Sequence, residues 1–279
     1  MRIVAPTCRN RPRRFRIAGW GAALLCLALW FDAQPALAYR PFDGTDGDVA
    51  EVGEFELELG PLDVQRERQQ TVLSTPTVLN VGIVPRMELV LDLVPVYPES
   101  GQPTSVTDTD FFAKFLLREG VLQGEAGPSI ALEAGPLLPE VRGERGFGAS
   151  ANLIVSERWG GLTLHLDNEA ELSRRELNLG WMTSLIGEVD LHAEVRPVVE
   201  IAWETDVRSG SDVYSALAGL IWEASDGLDL DVAGRIASDD GERAFEARFG
   251  LTWAVHLWGG EGKADASSSA ASLSALEWQ

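Results

Sequence analysis

From residue 52 to 258 the chain alternates apolar and polar residues with a period of two, and no stretch shows comparable order at helical spacing. The clearest example is the last, where Phe245, Ala247, Phe249, Leu251, Trp253, Val255 and Leu257 point one way. Glu246, Arg248, Gly250, Thr252, Ala254 and His256 point the other. A second example runs from 188 to 204: Val189, Leu191, Ala193, Val195, Pro197, Val199, Ile201 and Trp203 oppose Glu188, Asp190, His192, Glu194, Arg196, Glu200 and Glu204. Segmenting the chain in this way predicts strands over 52–60, 76–84, 86–96, 109–119, 126–135, 147–156, 160–172, 175–186, 188–205, 211–224, 227–238 and 243–258. The count is even and several segments exceed the ~5 to 6 residues usual in soluble sheets.

The connections also differ by parity. Those after odd strands include 61–75, 97–108 and 136–146, whereas those after even strands include Pro85, Arg158-Trp159 and Ser225-Asp226-Gly227. Short turns on one side and long loops on the other are the habit of bacterial outer-membrane barrels. With the amino terminus placed on the periplasmic side, Trp203 falls at the outer end of its strand, and Trp222, Trp253 and Trp258 fall toward inner ends. Tryptophans so placed would form two interfacial girdles. Alternation alone would serve a soluble barrel equally well, with these tryptophans as core residues. Strand length, count and aromatic placement point instead to an all-β fold: a 12-stranded antiparallel transmembrane up-and-down β-barrel.

The amino-terminal residues change the compartment. Arg2, Arg9, Arg11, Arg13, Arg14 and Arg16 precede an apolar run from Ile17 to Phe31, and Ala36-Leu37-Ala38 follows. The run is shorter than the ~20 residues that span a bilayer. The segment 1–38 therefore reads as a signal peptide, 39–258 as the barrel, and the Gly/Ser/Ala-rich 259–279 as a disordered tail. Both cysteines, Cys8 and Cys26, lie in the removed part.

Of the 279 residues, 23 are Lys or Arg and 43 are Asp or Glu, a net charge of -20, and removing the signal makes the chain more acidic still. Nucleic acid is excluded as a partner, since phosphate backbones are bound by basic patches.

Chemistry can collect only on the polar face of the strands. The residues expected to line a pore are Glu188, Asp190, His192, Glu194, Arg196, Glu200 and Glu204, together with His165, Asp167, Arg235 and Arg248. Acids outnumber bases on this face, which would make an open pore attractive to cations. Arg196, with acids on both sides of it in sequence, reads as a fastener rather than a substrate ligand. His165, His192 and His256 have no serine two residues away on the same face, so acyl-transfer chemistry is not indicated, although cross-strand partners such as Ser156 or Ser184 stay open. Asp43-Gly44-Thr45-Asp46-Gly47-Asp48 and Asp239-Asp240-Gly241-Glu242 lack the spacing of a calcium loop and read as solvated turns. No cofactor and no metal is expected.

Several segments resemble a known family, the outer-membrane transporter barrels associated with phenol degradation by the meta-cleavage pathway. They are Arg40-Pro41-Phe42, Asn80 to Leu89, Glu194 to Glu200, Leu217 to Trp222, Asp229 to Arg235 and Gly250 to Trp253. The last strand is also similar to the signal read by the barrel-assembly machinery, as Arg248-Phe249-Gly250-Leu251-Thr252-Trp253-Ala254-Val255. The resemblance implies a barrel inserted by that machinery among the lipids of a Gram-negative outer membrane, acting as a passive pore or transporter-like channel for small solutes. The alternatives are a non-conducting scaffold or surface-interaction barrel and a soluble exported β-domain.

Overall fold

The computed structural model describes residues 40–67, 70–98, 103–191, 194–239 and 241–258. The expected signal segment 1–38 and tail 259–279 lie outside them. One antiparallel sheet contains β1 (Glu54–Glu67), β2 (Gln70–Ser74), β3 (Thr77–Val84), β4 (Met87–Pro98), β5 (Ser105–Arg118), β6 (Ser129–Leu137), β7 (Gly148–Trp159), β8 (Leu162–Leu172), β9 (Leu179–Val189), β10 (Val195–Asp206), β11 (Ser211–Ser225), β12 (Leu228–Asp239) and β13 (Glu242–His256). Apart from β2 and β3, which both pair with β1 and β4, each strand pairs with its sequence neighbour, and β13 returns to pair with β1 from Glu54↔His256 to Glu67↔Ala244. The sheet is thus closed and has no edge.

β2 and β3 are two halves of one wall strand, because both pair with β1 on one side and β4 on the other. Pro76 has no N–H to continue the ladder, and the break falls at Thr75-Pro76. Two backbone bonds stitch across it, from Gly60 N to Pro76 O at 2.8 Å and from Thr75 N to Pro95 O at 2.9 Å. Twelve strands therefore make the wall.

The direction of the alternation separates this barrel from a soluble one. On β10, Val199 and Ile201 are 55% and 60% exposed on the outside, while Glu200 between them is buried toward the lumen. On β12, Val232 and Ile236 face out and Asp229 and Asp231 face in. An apolar exterior continuous around a barrel is stable only against lipid, since soluble proteins rarely expose apolar patches beyond a few hundred Å². Aromatic residues mark both margins of this band. Trp181, Trp203 and Tyr214 lie near the end of the barrel away from the start of β1, whereas Trp159 and Trp222 lie near the end where β1 begins. Trp203 and Tyr214 are directly opposite each other, as are Val195 and Trp222.

Three expectations differ from the structure. The loops expected at 61–75 and 97–108 are largely strand, as β1 runs to Glu67, β2 starts at Gln70 and β5 starts at Ser105. Along β1 a bulge between Leu59 and Leu62 shifts the alternation out of phase, so an unbroken period of two does not mark the strand's continuation. The strand expected over 188–205 is interrupted by a turn. Glu188 ends on β9, Asp190 lies in the turn, and β10 starts at Val195. The turn keeps the same odd-even phase on both sides, so hydrophobicity alone does not mark it.

Candidate functional site

The lumen is not empty: residues 40–53, which precede β1, lie inside it. The wall receives this segment through its backbone. Glu200 accepts the N–H of Asp43 on one carboxylate oxygen and that of Gly44 on the other, both at 2.9 Å. Asp167 accepts Thr45 N at 3.0 Å, Ser156 Oγ accepts Gly47 N at 2.8 Å, and Glu88 accepts Ala50 N at 2.6 Å. Buried amides must find acceptors, and here four strands supply them at successive positions along the segment.

The segment's own side chains complete the docking. Arg235 Nε lies 2.7 Å from Asp43 Oδ2, and Arg248 Nη2 lies 2.6 Å from Asp43 Oδ1. Burial would raise the Asp43 carboxyl, but Arg248 and Arg235 together outweigh it and hold the group below its usual range. Asp46 faces Lys114 at 3.6 Å, and Lys114 also lies 3.4 Å from Glu88. Burial pushes the Asp46 carboxyl well up, with Lys114 pulling the other way. Phe42 packs on Val198 and Ile221, an inward-facing apolar patch. The chain leaves the lumen through Gly53, at φ +86°, whose N–H bonds Gly82 O at 2.8 Å. A Cβ on Gly82 would lie 1.9 Å from Glu51 O, so only glycine admits this close crossing.

The expected pore-lining residues fall into three groups. Glu200, Asp167, Arg235 and Arg248 contact the docked segment as described. Arg196 bonds Glu188 at 2.8 Å and Asp229 at 3.0 Å, bracing β9, β10 and β12. His165 Nδ1 is 2.8 Å from Ser156 Oγ and its Nε2 is 3.6 Å from Glu188, so the serine left open as a cross-strand partner is indeed adjacent. Ser156 is fully buried beneath Gly47, however, and the pair helps seat the segment. Glu204 faces Arg235 at 3.4 Å. Asp190 and Glu194 are exposed at the β9–β10 turn, at the rim rather than on the wall. His192 lies outside the described residues.

Sequence reasoning missed Arg40, Asp43 and Asp46 as lumen residues, whereas Glu88 and Lys114 fall on the inward phase of their strands. Asp43 to Asp48 is not a solvated turn, because the amides of Asp43, Gly44, Thr45 and Gly47 and the carboxylates of Asp43 and Asp46 are docked on the wall. Phe42, an aromatic immediately before an acidic Gly-rich stretch, was the available signal that the stretch is buried. Beside the segment, a cavity of about 1300 Å³ persists, with Val78, Val90, Phe112 and Leu137 as an apolar patch and Glu56, Glu58, Asp92 and Glu133 among its acids.

No family model matches the chain, and no curated protein matches it in sequence. Among solved structures it is similar to an outer membrane channel from Pseudomonas putida F1, with TM-score 0.59 and 11% identity over 76% of this chain and 99% of that one. It is similar to NanC porin at TM-score 0.54, with 6% identity over 71% and 98% of the two chains. It is also similar to KdgM porin in complex with disordered oligogalacturonate, at TM-score 0.51 and 11% identity over 72% and 98%. At these identities the likeness is one of fold alone: a closed, 12-stranded antiparallel β-barrel shared with these proteins.

Proposed function

We propose that the chain is an outer-membrane channel for small solutes, closed at rest by its own residues 40–53. The observation that carries this reading is the docking of that segment on wall acceptors inside a barrel whose exterior is apolar. A segment held by hydrogen bonds and ion pairs, rather than by a large apolar core, can leave when competing interactions are offered. Opening would bare a wall rich in carboxylates, and we infer that the open pore prefers cations, less so as salt screens it. The apolar patch of Val78, Val90, Phe112 and Leu137 beside the cavity would suit an aromatic solute, which supports the narrower reading of a transporter associated with phenol meta-cleavage. Insertion by the barrel-assembly machinery into a Gram-negative outer membrane follows from the same reading.

The test is planar-bilayer conductance of the purified barrel and of a variant lacking 40–52. Low or intermittent conductance of the intact chain and a large, cation-preferring conductance of the variant are expected. Anion preference in a salt gradient would overturn the selectivity, and a closed variant with an intact heat-modifiable fold would favour the scaffold reading.

A further inference from the structure

Arg40, three residues before Asp43, occupies a slot in the wall that is shaped for a guanidinium. The slot is made where β1 meets β13 and β12. A bulge between Leu59 and Leu62 shifts the phase of β1, so Gly60 and Asp63 both face the lumen and Leu62 turns outward. Gly250 on β13 faces Asp231 on β12 directly. A Cβ on Gly60 would lie 2.6 and 2.7 Å from the two Arg40 Nη atoms, and a Cβ on Gly250 would fall on Arg40 Nε and the Asp231 carboxylate. Two inward glycines thus leave room for a planar cation that any other residue would fill.

The slot's carboxylates are only partly used. Arg40 Nη2 donates to Asp63 Oδ1 at 3.2 Å. Arg40 Nε lies 3.6 Å from Asp231 Oδ2, beyond a hydrogen bond, and both Asp231 oxygens are buried without a hydrogen-bond partner. Asp231 is 7% exposed and Asp63 2%. Arg40 belongs to a segment fixed further on by Glu200 and Asp167, and from there its guanidinium hydrogen-bonds Asp63 but not Asp231. An untethered guanidinium carries N–H donors on every edge of its plane and can offer a two-pronged contact to each carboxylate.

We propose that this slot, formed by Gly60, Asp63, Asp231 and Gly250, is a binding site for guanidinium-bearing solutes, and that such a solute enters it by displacing Arg40. The inference rests on the reading of residues 40–53 as a displaceable closing segment, and names a ligand class for the wall beneath it. In the intact chain the solute competes with a tethered guanidinium at an effective concentration in the millimolar range or above. Removing the Arg40 side chain ends that competition.

The test is a thermal-stability titration of the purified, detergent-solubilised barrel, read as the temperature at which the heat-modifiable gel band is lost. Guanidinium chloride at low millimolar concentration is the probe, with methylammonium chloride at equal ionic strength as the control. Arg40→Ala should lose stability and recover it with guanidinium, at a midpoint at least tenfold below that of any effect on the intact chain. Arg40→Ala/Asp231→Asn should lose the response. Equal effects of guanidinium and methylammonium on Arg40→Ala would overturn the proposal, since charge alone would then suffice. Should Arg40→Ala not fold, the intact chain decides: a thermal stabilisation that saturates with guanidinium and is absent with methylammonium supports the slot, and its absence rejects it. Binding without conductance would retain the slot and reject the channel.

Discussion

Asp43 and Arg248, 205 residues apart in sequence, meet inside the lumen with Oδ1 2.6 Å from Nη2. Arg248 also donates to Pro41 O at 2.6 Å, so one guanidinium holds the segment by backbone and side chain together. Arg235 approaches the second Asp43 oxygen from the neighbouring strand. The contact couples closure of the lumen to the β12–β13 wall.

Replacing Asp43 by Asn should therefore loosen the closing segment without unfolding the barrel. The charge-assisted pairs to Arg235 and Arg248 would become ordinary hydrogen bonds, a loss of roughly 1 to 3 kcal/mol of docking. The expected outcome is more frequent channel opening in planar bilayers, with the heat-modifiable band retained. Unchanged gating would mean that the backbone bonds to Glu200 and Asp167 hold the segment by themselves.

Arg196 tests the wall rather than the segment. It bridges Glu188 and Asp229, both largely withdrawn from solvent, and its removal would leave their charges without this guanidinium. Truncating one partner of a buried ion pair costs on the order of 3 to 5 kcal/mol, less here because Arg196 is about a quarter exposed. Arg196→Ala should lower the temperature at which the folded band is lost, and Arg196→Lys should lower it less. Lysine keeps the charge but cannot reach both carboxylates in one plane. A thermally unchanged Arg196→Ala barrel with altered ion selectivity would instead make Arg196 part of the permeation path.

The wall was legible in the sequence because period-two alternation is a local property: Val199, Glu200 and Ile201 announce an inside and an outside without any knowledge of their neighbours. The same property says which way Thr252 points but not how crowded its surroundings are. An inward position on an open pore would accept arginine easily, yet Thr252 is fully buried opposite Asp229 and Glu58. What occupies a lumen is decided by contacts such as Thr45 with Asp167, which are 122 residues apart and leave no periodic trace. The slot around Arg40 was illegible for a related reason. The bulge that turns Asp63 inward interrupts the alternation, and Gly60 and Gly250 matter only because β1 and β13 close on each other.

The two faces of the wall should differ sharply in tolerance of charge. Ile201 lies on the outside of β10 between the aromatic margins, where arginine costs ~2 to 4 kcal/mol. Met182 lies on the inside of β9, opposite Glu169 on β8 and Glu204 on β10. An arginine there would meet two carboxylates. Ile201→Arg should reduce folded barrel in membranes severalfold, and Met182→Arg should not. Equal yields would mean that the assigned outside does not contact lipid.

Closure should also depend on pH through Asp46. Its carboxyl is raised well above 3.8 in the docked state, first by burial, with Lys114 opposing and Asp48 and Glu88 adding to the rise. Thr45 contributes its hydroxyl to the same lysine at 3.4 Å. A carboxyl whose pKa is higher docked than undocked binds its proton more tightly when docked, so docking strengthens as pH falls through the raised value and the gain is complete below the undocked value. Asp43 works in the opposite sense, but only below its ordinary range, since its carboxyl is held down. Between neutral pH and about 4, the Asp46 contribution should therefore make the channel open less often as the solution is acidified. Asp46→Asn cannot titrate, so the difference in opening frequency between it and the intact chain should grow with pH across that window. Parallel pH profiles for the two proteins, measured by single-channel recording in the same lipid and salt, would remove Asp46 from the closing mechanism and leave its contact with Lys114 as anchorage alone.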